Sequence, residues 1–425
     1  MFRPRSFRQF LSFISLALAA LVPVAAASSE GVLYSFAGGN DGSLPSSTLV
    51  ADKGGNLYGT TSQGGDSDSC GPFGVQSCGV VFELIPSGGT WTEKVIYSFT
   101  GQADGGTPYG GLLIDAAGHL YGTTNIGGTS GQGTVFKLTQ TNGAWKETVL
   151  HSFTGGSDGA LPEAGLLLKG NTLYGTTAQG GAGTSCGLFG GPCGTVFKLT
   201  RGKKGWTEKV LYSFLGGADG GVPFAGVIMD KAGNLYGVTT QYGASCCGAV
   251  FELHPKKGSW QEVTLYSFTG GNDGSYPEGG LIFGATGSLY GTASVGGASG
   301  VGTVFQLKSG KSGWTFKLLH TFTGTPDGSV PESQLIKKGN VFYGTTYNGG
   351  TGTTCGPFGG SPCGTVFSLT RGTGGWTESV VYSFAGDPDA SQPQGGLILD
   401  KSGNLYGTGL TGGSTGNGAV FEITP

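Results

Sequence analysis

Three sets of side chains in this sequence have types and spacings that suit chemistry. Eight cysteines fall into four close pairs: Cys70 with Cys78, Cys186 with Cys193, Cys246 with Cys247, and Cys355 with Cys363. Three pairs frame short loops, "CGPFGVQSC", "CGLFGGPC" and "CGPFGGSPC", which an oxidising compartment would close as disulfides. Zinc is the alternative for such thiols, but a structural zinc needs four converging ligands. Cys246 and Cys247 are adjacent in the chain, and the sequence leaves open a vicinal disulfide or two thiols. Each closed loop carries a phenylalanine at its tip: Phe73, Phe189 or Phe358. A rigid loop holding an exposed aromatic suits a glycan or an extracellular protein. The same ring folded over its own disulfide would instead be packing.

Carboxylates form the second and third sets. A D-G-x-x-P motif or a near copy places Asp41, Asp104, Asp158, Asp219, Asp273, Asp327 and Asp389 four residues before a proline. As ligands, seven carboxylates on one face would hold calcium, a hard cation that takes oxygen donors. As structure, each Asp caps a turn, Gly takes positive φ and Pro stiffens the chain that follows. Recurrence in every repeat favours the turn, because a binding site needs only one sector. Glu163, Glu278 and Glu332 directly follow the motif proline, where the other repeats carry Ser46, Tyr109, Phe224 and Gln394. At the entry of the innermost strands they would line a channel mouth, as solvated acids or as the centre of a metal-dependent hydrolase or lyase.

Histidine adds little to the case for catalysis. Of four, His151 and His320 replace the Tyr of a recurring "YSF", and His119 replaces the Asn of "GNLYG". No H-x-x-x-H or Walker-type sequence occurs. The glycine-rich stretches lie between strands and do not form a strand-to-helix phosphate cradle. No catalytic residue is assigned on these grounds, and a non-catalytic binding protein is the favoured class.

The elements that position these residues are repeats. "LYGT" or a near copy starts at Leu57, Leu120, Leu173, Leu235, Leu289, Phe342 and Leu405. "VF" recurs at Val81, Val135, Val196, Val250, Val304, Val366 and Val420. "YSF" or a variant recurs at Tyr34, Tyr97, His151, Tyr212, Tyr266, His320 and Tyr382. Each unit reads as four strands: a short apolar run such as "GGLILD" (395–400), a turn, "LYGTG", then "GAVFEI", then an alternating strand such as "WTEKVIYSF" (91–99). Six tryptophans each head a fourth strand, and the seventh fourth strand is "GVLYSF" near the N-terminus. Pairing Val32–Phe36 with Val420–Ile423 would close a ring and remove two open sheet edges. The reading is an all-β chain forming a single seven-bladed β-propeller of four-stranded antiparallel blades. A β-solenoid is the alternative, though its coils are usually shorter.

Units such as "GLLIDAAGHLYGTTNIGGTSGQGTVFKL" resemble the GloVer tandem-repeat family of exported bacterial proteins across essentially all of residues 31–425. The resemblance implies repeats paired with varied C-terminal surface anchors, and it brings no catalytic residues. The chain ends at Pro425 without such a sorting segment, so free rather than anchored protein is expected. The "D-x-x-G-N-L-Y" core is also similar to strands of NHL and gluconolactonase-type propellers, which implies fold more than activity.

Bulk composition fits an exported all-β protein. Of 425 residues 89 are glycine and 12% are charged, against about 7% and about 25% in ordinary proteins. Aromatics at 11% argue against disorder, and a net charge of −3 leaves no basic footprint for nucleic acid. Residues 1–27 read as a signal peptide, with Arg3, Arg5 and Arg8 ahead of an apolar run and Ala25 and Ala27 at an A-x-A cleavage site. An uncleaved anchor is the alternative. Residues 28–425 are then the propeller, secreted or periplasmic, with no membrane span after cleavage.

Overall fold

A computed structural model describes residues 28–67, 70, 77–183, 186, 191, 193–352, 355 and 362–425. They form seven four-stranded antiparallel sheets, arranged as the blades of a propeller. Blade 1 runs Val50–Ala51, Leu57–Thr61, Val80–Ser87, Thr90–Ser98 from inside to outside, and blades 2 to 6 repeat this order. Blade 7 takes Ile398–Leu399, Leu405–Gly409 and Ala419–Thr424 from one end of the chain and Ser29–Ser35 from the other. The closing pair is antiparallel, with Ser29 opposite Thr424 and Ser35 opposite Ala419. Thus the expected closure forms, and no blade is left with three strands.

Packing inside a blade explains the invariant pattern of the second strand. Gly59 lies opposite Phe82 in register, and a Cβ on that glycine would sit 2.5 Å from the Phe82 ring. The same close approach recurs down to Gly407 and Phe421, at 2.6 Å. Only glycine leaves room for a phenyl ring lying flat over the strand. The third-strand phenylalanines are fully buried as a result.

Blades then join through a second phenylalanine. A β-bulge interrupts the third–fourth strand pairing in every blade, for example between Val81 and Phe82. The extra residue bends and twists the end of the fourth strand, whose "YSF" stays paired with its own sheet, Tyr97 opposite Val81 and Ser98 opposite Val80. Its Phe enters the neighbouring blade and meets that blade's third-strand Phe edge-on. The centroid distances are 5.1 Å for Phe36–Phe82, 5.1 Å for Phe99–Phe136 and 4.9 Å for Phe384–Phe421. Seven such pairs, one per junction, run round the ring. At other points tryptophans bridge blades in the same manner, as Trp145 does to Tyr58 at 6.1 Å.

The first strands are shorter than the apolar runs predict. In blade 7 only Ile398–Leu399 is strand, where residues 395–400 were expected. Crowding at the axis is the reason. A Cβ on Gly395 would stand 2.6 Å from the Ser47 carbonyl oxygen of blade 1, and the Gly396 N–H donates to Thr48 Oγ1. The inner ends therefore bond across to the next blade and do not extend their own sheet. No helix among the described residues is long and apolar enough to cross a membrane.

Truncating one junction ring tests this account. Phe214→Ala removes a fully buried side chain that meets Phe251 at 5.1 Å. We expect a loss of about 3–5 kcal/mol in equilibrium urea unfolding; a loss below about 1 kcal/mol would show that the junctions do not rest on these rings.

Candidate functional site

Local backbone conformation places the site residues. The residue before each motif proline is left-handed: Leu44, Thr107, Leu161, Val222, Tyr276, Val330 and Gln392 all have φ between 53° and 59°. Such a conformation costs of order 1 kcal/mol for a non-glycine residue. It is held because the amide of that residue is tied to the preceding blade, as in Thr107 N–H to the Cys78 carbonyl at 2.8 Å and Val222 N–H to the Cys193 carbonyl at 2.8 Å. The proline follows, and the next residue is thereby aimed at the axis. Threonines of the second strands fix the segment just beyond, Thr123 Oγ1 donating to the Ala164 carbonyl and Thr292 Oγ1 to the Ser333 carbonyl.

The seven residues delivered this way are Ser46, Tyr109, Glu163, Phe224, Glu278, Glu332 and Gln394, and all of them line one axial cavity of about 720 Å³. The three glutamates expected at a channel mouth are thus brought to one chamber. Glu163 accepts from Asn125 Nδ2 at 3.0 Å and Glu332 from Gln394 Nε2 at 3.2 Å. Burial pushes the Glu163 carboxyl up to about 7, against the opposing bond from Asn125. Glu278 also rises to about 7, by burial first and then by the neighbouring charges of Glu332 and Glu163. Burial raises Glu332 as well. Near neutrality the Glu163 and Glu278 carboxyls both donate and accept hydrogen bonds. The cavity lining contains no Lys, Arg or His. Asn125 and Ser294, which bond to Glu163 and Glu278, went unnoticed in the sequence; their place just after "LYGT" was the available signal.

The motif-aspartate loops lie beside the second–third strand connections, to which they bridge (Ser43 to Gln63, Gly106 to Ile126), and none of the aspartates lines the cavity. Each Asp accepts from the Tyr or His seven residues earlier, from Tyr34 to Asp41 at 2.9 Å through Tyr382 to Asp389 at 3.1 Å. Each also accepts the backbone N–H four residues earlier. A further group meets them that the sequence reading passed over. The glutamate two residues after the strand-heading Trp projects from the next blade toward the Asp, so Glu93 faces Asp41 and Glu147 faces Asp104. Glu30 of blade 7 likewise faces Asp389. Phe316 stands in this place at one junction and stacks on Tyr266 at 4.4 Å. Burial, then the adjacent Asp charge, pushes Glu93 and Glu147 up to about 7.

All four cysteine pairs are disulfides, including the vicinal Cys246–Cys247 that the sequence left undecided. Cys70, Cys78, Cys186, Cys193, Cys355 and Cys363 are buried, and the first bridge rests on the junction loop, where a Cβ on Gly106 would lie 2.5 Å from Cys70 Sγ. Phe73, Phe189 and Phe358 lie outside the described residues.

A profile described as the Gloeobacter/Verrucomicrobia repeat matches residues 21–189 and 188–358. No curated protein matches the chain. Among solved structures, a Bacteroides uniformis protein provisionally assigned as a 6-phosphogluconolactonase is 14% identical, with 77% of this chain and 84% of that one covered and a TM-score of 0.48. A Dyadobacter fermentans protein of unknown function is 12% identical, covering 94% and 98%, with a TM-score of 0.45. Trypanosoma rangeli sialidase is 11% identical, covering 94% and 60%, with a TM-score of 0.42. Likenesses this distant say nothing of activity.

Two outcomes follow from the acid groups. Glu93, Glu147, Glu163 and Glu278 have folded-state values near 7, above the ordinary 4.5. Their stabilising contribution is complete below about pH 4.5 and is lost as pH rises through about 7. The thermal midpoint is therefore expected to fall between about pH 5 and pH 8, and Glu93→Gln to flatten that slope; a midpoint that climbs over this range would contradict the assignment. Since every motif Asp already accepts at least two hydrogen bonds, calcium added to chelator-stripped protein is expected to leave the midpoint unchanged, and a rise of several degrees would restore the ring as a calcium site.

Proposed function

The chain belongs to that repeat family, and from this premise we propose that it is an exported, non-catalytic binding propeller whose ligand is a neutral glycan held at the axial cavity. One observation carries the reading: a chamber of about 720 Å³ lined by carboxyls, an amide and hydroxyls beside two aromatic rings, with no cationic side chain. That volume suits a ligand of a few sugar rings. Hydroxyl groups of a sugar act as donor and acceptor at once, which matches glutamates poised near neutrality. Tyr109, 40% exposed, and Phe224 offer ring faces for the apolar side of a pyranose. An anionic sugar acid or phosphate would meet three carboxyls and no counter-charge. The four disulfides support an oxidising compartment outside the cytoplasm. An extracellular protein presenting such a glycan would fit the same surface.

The raised Glu278 favours a second reading, acid–base hydrolysis of a glycoside within the same chamber. Metal-dependent chemistry there has less support, since among the described residues the three-ligand cluster lies elsewhere.

Titration calorimetry of residues 28–425 with neutral β-glucan, xylan and chitin oligosaccharides tests the proposal, with an oligogalacturonate as anionic control. Binding of a neutral oligosaccharide is expected, weakened about tenfold, or about 1.4 kcal/mol, by Tyr109→Ala or Phe224→Ala. Binding of the anionic control alone would sink it. Release of shorter sugars that stops in Glu278→Gln would replace it with the hydrolase.

A further inference from the structure

The junction carboxyl pairs are not all alike. At five of the seven junctions the aspartate's aromatic partner is tyrosine; at two it is histidine, His151 and His320. Where blade 5 meets blade 6, His320 of the fourth strand Gly313–Thr321, Asp327 of the connecting turn and Glu378 of the fourth strand Gly375–Ser383 converge. One ligand atom from each lies within 4.8 Å of the others. His320 Nε2 stands 3.1 Å from Asp327 Oδ2. Neighbouring ligands on a tetrahedral ion with bonds of about 2.1 Å are separated by about 3.4 Å, so this pair is already near ligand spacing. Glu378 adds a buried Oε1 with no hydrogen-bond partner, a feature it shares with Glu30, Glu93, Glu147 and Glu208 at other junctions, so the histidine is what sets this junction apart. A buried carboxylate oxygen without a partner is costly unless a proton or a cation serves it. His320 and Asp327 keep side-chain exposures of 20% and 13%, enough for a small ion and its water to enter.

We propose that His320, Asp327 and Glu378 bind a divalent transition-metal ion, with zinc as the representative, in the junction between blades 5 and 6. One nitrogen and two carboxylate oxygens are the donor set of a zinc-type ion with water in the remaining position. Calcium and magnesium, which take oxygen ligands, are disfavoured by the imidazole. Four of the five tyrosine junctions keep the Asp–Glu pair but offer a phenol in place of the imidazole, and the fifth has Phe316 in place of the glutamate, so none has the nitrogen donor. The junction between blades 2 and 3 repeats the arrangement more loosely, with His151 Nε2 3.2 Å from Asp158 Oδ2 and an unpartnered buried Oε1 on Glu208. The ion would tie two outer strands to one turn, which makes this a bond between blades, separate from the axial cavity.

The molecule contains its own control, because tyrosine already occupies the position of His320 at five other junctions. Untagged protein, stripped with a chelator and dialysed, would be titrated with cobalt(II), zinc and calcium, following the visible bands of cobalt and the thermal midpoint. Cobalt is expected to give the intense bands of a low-coordinate site and zinc to raise the midpoint, with no response to calcium. His320→Tyr should keep the fold and lose at least one equivalent of metal, and Glu378→Gln should weaken binding about tenfold or more. No cobalt bands in the unmodified protein, or the same stoichiometry and affinity in His320→Tyr, would overturn the assignment.

Discussion

Everything in this molecule depends on one contact made seven times: a phenylalanine at the end of a fourth strand entering the next blade and meeting its third-strand phenylalanine edge-on, at 4.9–5.2 Å. A four-stranded sheet of this size cannot bury both faces by itself. The phenyl pair fills the wedge between adjacent sheets, and it does so only because glycine in the second strand leaves space for the flat ring. The bulge in each fourth strand is part of the same device, since it bends the strand end that carries "YSF" while leaving it paired. Removing any one of the three loosens the docking of the neighbouring blade.

Once the blades are locked, the loops have little freedom, and chemistry becomes a matter of which residue each blade delivers to a fixed place. The left-handed residue and the proline after it present one side chain per blade to the axis. Seven equivalent positions carry Ser, Tyr, Glu, Phe, Glu, Glu and Gln. A repeated scaffold thus produces an asymmetric chamber, and its asymmetry is where specificity resides. Burying three carboxyls at the wall of one chamber raises their proton affinity, which a fully solvated ring of acids would not do.

The junctions show the same economy in a second place. The Tyr–Asp bond closes each connecting turn, and a glutamate from the next blade covers it. Where the tyrosine is exchanged for histidine or the glutamate for Phe316, the junction keeps its shape and acquires a different chemistry. The scaffold tolerates these exchanges because the phenyl pairs beneath carry the docking.

Sequence alone determined the blade count, the strand order and the closing partner, because those follow from spacing along the chain. "LYGT", "VF" and "YSF" each recur seven times, and only a fourth strand borrowed from the other terminus balances the tryptophan count. It also marked the positions that reach the axis, since Glu163, Glu278 and Glu332 share one place in the repeat with Ser46, Tyr109, Phe224 and Gln394. Tertiary structure decided what those residues experience. Burial, and the meeting of Glu278 with Glu332 across blades, depend on distances between positions about 54 residues apart, which no local pattern records. The junction glutamates were hidden for a related reason. In an alternating outer strand, "WTEK" reads as a solvated face, and only the neighbouring blade's aspartate turns Glu93 or Glu147 into a half-buried, unsatisfied acid. Local sequence fixes periodicity and turns; the packing of one repeat on the next fixes electrostatics, because charge interactions follow separation in space and not along the chain.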